Sequence, residues 1–102
     1  MALFVTLMKM TDQGIKDVEH APDRVEKMIA EFEAAGGKVH GFWMTMGEYD
    51  YVTVTEGPTD EMGAAFLLKL GQMGTVRTTC LKAFDVPTMK QIVGSLSRAA
   101  VA

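Results

Sequence analysis

Segments with the apolar pattern of a strand alternate along this chain with segments that have the apolar pattern of a helix. The order of these segments constrains the fold more than any other feature of the sequence. A helical pattern over 23–35, closed by Gly36-Gly37, follows a short apolar segment over 2–9 that is typical of a buried strand. Two strand-like segments over 39–46 and 50–56 come next, joined by a turn, and a second helical pattern begins at 57–61. A strand over 75–84 and a terminal helix capped by Asp85 or Thr88 complete the order.

This order predicts an α+β fold of the ferredoxin-like type, βαββαβ plus a C-terminal helix, with a four-stranded antiparallel sheet. Both crossing helices would cover one face of the sheet. The other face would stay open to water. Yet neither face of the first strand is polar: Leu3, Val5 and Leu7 are apolar, and the positions between them do not form a polar set. In the second strand, strict alternation sets Val39, Gly41 and Trp43 against His40, Phe42 and Met44. An apolar open face is unusual on a monomer, so we expect a second copy to pack sheet on sheet.

Composition bounds the rest of the interpretation. A chain of 102 residues holds a single domain over 1–102, and a net charge of −3 argues against a nucleic-acid partner. A lone cysteine, Cys80, fits a reducing compartment, and no apolar run is long enough to span a bilayer. The start of the chain lacks the charge and cleavage pattern of a signal peptide, so we expect a cytoplasmic protein without a membrane partner.

The segment Gly41-Phe-Trp-Met-Thr-Met-Gly-Glu-Tyr-Asp50 resembles the signature of the GYD-domain family. Three further stretches agree with it, namely Met10-Thr-Asp-Gln-Gly14, Ala21-Pro-Asp-Arg24 and Gly74-Thr-Val-Arg-Thr-Thr79. The resemblance covers about residues 3 to 95. It implies a subunit of a dimeric α+β barrel, and it implies little about activity.

A weaker resemblance links the hairpin and the fourth strand to the ligand-binding domain of the Lrp/AsnC regulators. Gly47, Asp50, Val76 and Thr79 stand at matching places. The sequence has no helix-turn-helix before them, so a DNA-binding role is not expected. What this resemblance implies is a small-molecule site between subunits.

The turn Gly47-Glu48-Tyr49-Asp50 has a structural and a functional interpretation. Gly47 suits positive φ, the Asp50 carboxylate can accept hydrogen bonds from turn amides, and Tyr49 can pack at an interface. Alternatively, the turn borders a pocket at the subunit interface.

Four other residues are candidates for that pocket. His40 and Arg77 would supply its polar groups, and Trp43 and Met44 its apolar wall. We predict no cofactor, and no metal site, because the two histidines, His20 and His40, are far apart in sequence. Cys80 is interpreted as an inert buried thiol.

Two functions remain open at this point. The first is a homo-oligomeric, dimeric or larger, module that binds a small molecule at a subunit interface. The second is a small cofactor-free enzyme, like the monooxygenases and isomerases built on dimeric α+β barrels. Its catalytic residues are unknown, and His40 would be the candidate base. Binding is favoured, because only His40 could act as a base near neutral pH.

Overall fold

Four strands and four helices make up most of the chain. The computed structural model describes residues 1–101, with the side chains of residues 1–97. The elements are β1 (Ala2–Met10), α1 (Asp12–Lys16), a 3₁₀ turn (Val18–His20), α2 (Ala21–Ala34), β2 (Lys38–Met44), β3 (Tyr51–Gly57), α3 (Asp60–Met73), β4 (Val76–Ala83) and α4 (Val86–Val101). Within the described range, no helix is long and apolar enough to cross a membrane.

The strands form one antiparallel sheet in the order β2-β3-β1-β4. This is the predicted ferredoxin-like α+β arrangement. Phe4, Thr6 and Met8 of β1 lie on the face covered by α2 and α3, opposite Thr55, Thr53 and Tyr51 of β3. The alternate positions of β1 are half-buried and lie on the other face, which no helix of the described chain covers in this protomer. We call this second surface the open face.

Side-chain caps and glycines set the helix ends. Thr11 and Thr59 accept hydrogen bonds from the amides of Gly14 and Met62, which begins α1 and α3. Gly74 ends α3 with a φ of 78°, a conformation that favours glycine. Asp85 caps α4 through the Thr88 amide at 2.9 Å. Hydrogen bonds from Thr88 hold the pKa of the Asp85 carboxyl below its ordinary value.

A bulge in β2 corrects the strict alternation predicted for that strand. The register slips between Val39 and Gly41, so Val39 and Phe42 share one face while Gly41 and Trp43 share the other. His40 is the extra residue, and its side chain joins the open face instead of the Phe42 row. The hydrophobic pattern does not mark this slip, but Gly41 next to His40 is a local signal for it, because a glycine inside a strand often marks a bulge.

The helix α4 projects from the rest of the molecule. The Cα radius of gyration is 16.2 Å, whereas a compact chain of this length has about 13 Å. The longest dimension is 57 Å against 31 and 21 Å for the other two. A 16-residue helix is about 24 Å long, so α4 accounts for much of the elongation.

Candidate functional site

The open face is the largest apolar surface that the sheet presents. Its side chains come from all four strands: Leu3, Val5, Leu7, Trp43, Val52, Val54 and Leu81. The two on the edge strands are the most exposed, with Trp43 at 52% and Leu81 at 51%. A sheet face of this composition requires cover in water.

The total accessible surface supports the same view. The chain exposes 6931 Å², whereas a compact monomer of its mass exposes about 5,700 Å². The excess of about 1,200 Å² exceeds the roughly 800 Å² that each partner contributes to a standard protein interface. The protomer therefore exposes more surface than a compact chain of its mass.

His40 and Glu56 form a pair at one corner of the open face. His40 Nε2 lies 2.9 Å from Glu56 Oε1, and the two side chains are 35% and 31% exposed. The bulge places this histidine beside the β3 carboxylate. Because a carboxylate only accepts hydrogen bonds, Nε2–H is the donor in this pair, and Nδ1 of the neutral ring is an acceptor.

The Trp43 ring lies against Gly41, next to this pair. A Cβ built on Gly41 would come within 2.1 Å of the Trp43 ring, so the indole covers the glycine backbone. The glycine leaves room for the ring, which brings Trp43 to the cross-strand row of Val54 and Val5. His40, Glu56 and Trp43 therefore share one corner of the open face.

Arg77 and Met44 lie apart from that corner. Arg77 pairs with Lys9 at the start of β4, and its guanidinium donates to the carbonyls of Val76 and Gly71. Because β2 and β4 are opposite edges, Arg77 is three strand spacings, about 14 Å, from the strand that carries His40. Met44 pairs with Tyr51 on the helix side of the sheet and is 75% exposed. Within one protomer, the predicted polar pair does not converge on one pocket.

Asp50 links the hairpin turn to β1. Its Oδ2 accepts the Met10 amide at 2.7 Å, and its own amide donates to the Met8 carbonyl at 2.8 Å. Its carbonyl accepts the Thr45 amide at 2.7 Å. The carboxylate therefore binds an amide of β1, not the turn amides that the sequence suggested. The anchoring supports the structural interpretation of the turn.

Tyr49 directly precedes Asp50 in the same turn. The Lys9 ammonium is 5.3 Å from the centre of its ring, within the range of a cation–π contact. The Tyr49 carbonyl accepts the Thr45 hydroxyl at 2.6 Å. Gly47 has a φ of 119°, as expected of a turn glycine.

A cavity lies on the other face, between the sheet and the helices, and none of the predicted site residues lines it. Its volume is about 60 Å³, and aromatic side chains of β1, α2 and α3 line it, including Phe4, Phe32 and Phe66. The Thr6 hydroxyl donates to the Cys80 sulfur at 3.4 Å, and Thr53 donates to the Gly41 carbonyl at 2.7 Å. Both hydroxyls are thus satisfied within the protein, and Cys80 is half-buried. Among the described residues, no group of three or more His, Cys, Asp or Glu side chains could hold a metal ion.

Comparisons with known proteins agree on the family and the fold. The family model of the GYD domain matches residues 4–93. A protein of Thermus thermophilus named glutamine synthetase and cystathionine beta-lyase binding protein is 31% identical over 87 residues, 84% of this chain and 92% of its own length. The crystal structure of FFRP-DM1 matches 82% of this chain and 100% of its own with a TM-score of 0.61 and 22% identity, which supports the fold alone.

Proposed function

The chain belongs to the GYD domain family, and from that premise we propose that it is a homo-oligomeric binding module whose partner is another protein. The observation that carries the proposal is the open face. Its apolar row crosses all four strands, and a second copy offers the same surface, as a twofold contact requires.

Side chains that pair across neighbouring strands form rows on the open face, and these rows indicate how two copies would pack. If the twofold axis runs parallel to the strands, β4 of one protomer lies over β2 of its partner, and each row faces the same row. The Trp43 ring lies in the Gly41 row, and Leu81 pairs with Val5 in that row. The two most exposed apolar side chains of the face would then cover each other.

A protein partner is supported by the Thermus thermophilus relative, which is named for binding two enzymes. In a sheet-on-sheet dimer, the helices and the turns remain outside and are available to such a partner. Binding of this kind uses the dimer as a scaffold and needs no chemistry on the chain itself.

A small-molecule site at the subunit interface is a second candidate, favoured by the pairing of His40 with Glu56 at 2.9 Å. With Trp43 beside it, this corner combines an apolar wall with two polar groups, as ligand sites do. The partner's β4 would close it. The enzyme alternative uses the same corner, with His40 as the base and Glu56 orienting its ring.

The first experiment tests assembly. Val5→Asp places a charge in the middle of the open face, so we expect at least a hundredfold weaker dimer by sedimentation velocity. Ala64→Asp, at an exposed position of α3, is the matched control and should leave the dimer intact. A wild-type chain that sediments as an 11.1-kDa monomer at micromolar concentration would refute the proposal.

The second experiment tests the protein partner. Immobilised wild-type protein should bind purified glutamine synthetase or cystathionine beta-lyase with micromolar or tighter affinity, and Val5→Asp should weaken this binding. An unrelated enzyme of similar charge is the control. Binding no tighter than that of the control enzyme would contradict the protein-partner proposal and leave the dimer unaffected.

A further inference from the structure

The helix α4 carries a narrow apolar seam that the protomer leaves uncovered. Val86, Met89, Val93 and Leu96 follow one another at spacings of three, four and three, and Ile92 borders them. These five side chains are 45–63% exposed. A three–four repeat is the pattern by which one helix packs on another.

An isolated helix of this length is marginal in water, because packing supplies most of the stability of protein helices. The protomer is 57 Å in its longest dimension, as expected when one helix projects from a compact domain. The excess of exposed surface noted above includes the seam. The helix therefore needs a partner to cover it.

Charge distinguishes between the helices that could cover the seam. From Val86 to the end of the chain, the sequence has two basic residues, Lys90 and Arg98, and no acidic one. The α2 sequence has four acidic and two basic residues. A second α4 would repel the first, whereas α2 attracts it.

The apolar residues of α2 lie towards the sheet, and one of them also reaches the edge of the helix. Val25, Met28 and Ile29 are half-buried and border the cavity of about 60 Å³ and a smaller one of about 30 Å³. The exposed carboxylates of Glu26 and Glu33 belong to the same helix. Met28 packs on the core, whereas Ile29, three residues after Glu26 and four before Glu33, lies on the same helix face as these carboxylates. This edge of α2 therefore offers an apolar side chain beside acidic groups to a basic helix that has an apolar seam.

The α2 of the same protomer is badly placed for this contact. It packs against β2, at the edge of the sheet opposite to β4, from which α4 departs. A twofold axis parallel to the strands would instead bring the partner's α2 to the β4 side. Its distance from β4 is about 20 Å, one sheet–sheet and one sheet–helix spacing, which is within the length of α4.

We propose that α4 is an arm that packs its apolar seam on α2 of a second copy of this chain. The inference rests on the proposed sheet-on-sheet dimer and extends it. The two arms would clasp the dimer reciprocally, each on the acidic flank of the other protomer.

Two exposed positions of α4 give a matched test in the full-length chain. Met89→Glu puts a carboxylate into the seam, and Gln91→Glu puts the same group on a different face of the helix. We expect Met89→Glu to weaken the dimer about tenfold in sedimentation equilibrium and to remove the hydrogen-exchange protection of α4 amides. Gln91→Glu should retain both, with circular dichroism confirming that each variant is folded.

Charge-reversal variants test whether α4 packs on α2 of the second copy. Lys90→Glu should weaken the dimer severalfold if α4 lies on α2, and Glu26→Lys or Glu33→Lys should restore part of the loss. Glu61→Lys on α3 is the control and should restore nothing. If α4 instead pairs with another α4, Lys90→Glu leaves the dimer unchanged or tighter, which refutes the proposed seat.

The outcomes separate the arm from the dimer itself. If Met89→Glu and Gln91→Glu have the same dimer affinity and the same hydrogen-exchange protection of α4, the proposed contact of α4 with α2 is refuted. The sheet-on-sheet dimer is not affected by that result. Protection of α4 that persists in the monomeric Val5→Asp variant would also refute it, because the helix would then pack on its own protomer. A monomeric wild type refutes both proposals.

Discussion

Asp50 makes the longest-range side-chain contribution to the hairpin turn. Its carboxylate accepts the amide of Met10, forty positions away in sequence, at 2.7 Å. This contact lies at the end of β1, where the strand leaves the sheet and the chain turns towards α1. The side chain therefore fixes two connections at once, the hairpin turn and the exit of β1.

Removing this carboxylate tests the structural role of the turn. Asp50→Ala should lower the free energy of unfolding by about 1–3 kcal/mol, because it leaves a half-buried amide without its acceptor. Urea denaturation followed by circular dichroism measures the change. Glu48→Ala is the control, since Glu48 is 73% exposed and its nearest Lys9 contact is 3.8 Å, so its effect should stay below about 1 kcal/mol. Equal effects of the two variants would contradict the assignment.

The residue types of the turn were predictable, whereas their partners were not. Gly47, Tyr49 and Asp50 form a turn pattern that can be recognised from the residue types alone. The acceptor role of Asp50 also follows from its type. The donor is an amide of another strand, which only the sheet register brings within reach, so the local sequence pointed to the turn amides instead.

At the scale of elements, the bulge in β2 determines what the open face presents. It sends His40 to Glu56 and moves Gly41 and Trp43 onto one row. Strict alternation put His40 and Trp43 on opposite faces. The strands, helices and caps could be predicted because they follow from periodicity and capping chemistry. A one-residue slip leaves no trace in the periodicity, and its local sign is Gly41 inside the strand.

The close contact of Trp43 with Gly41 allows a test at this scale. Gly41→Ala should push the indole off the sheet, because the new Cβ would overlap a ring atom now 2.1 Å away. We expect a shift of the tryptophan emission, since Trp43 is the single tryptophan, and a weaker dimer. Gly71→Ala is the matched control, because its Cβ meets nothing within 4 Å. That change should leave emission and assembly unaltered and stabilise α3 by about 0.5–1 kcal/mol. An unchanged emission in Gly41→Ala would refute the stacked geometry.

At the scale of the whole molecule, the exposed surface links folding to assembly. The described protomer has no large side chain that is fully buried, and its most buried residues are Met8 at 3% and Thr6 and Thr53 at 5%. A sheet covered on one side only leaves half of its apolar residues outside the core. We therefore expect little stability in the separated protomer, with unfolding and dissociation occurring together.

Coupled unfolding and dissociation predict a melting temperature that depends on protein concentration. For a dimer of two 102-residue chains, the unfolding entropy near 60 °C is about 0.4 kcal/mol/K, so Tm should rise by about 3–4 °C for each tenfold increase in concentration. Differential scanning calorimetry over a hundredfold range measures this slope. Val5→Asp serves as the internal comparison, because a chain that no longer dimerises should melt lower and at a temperature independent of concentration. A wild-type Tm that stays constant over the same range would mean that one protomer is stable with its open face in water, and the apolar row would then need a different explanation from a second copy.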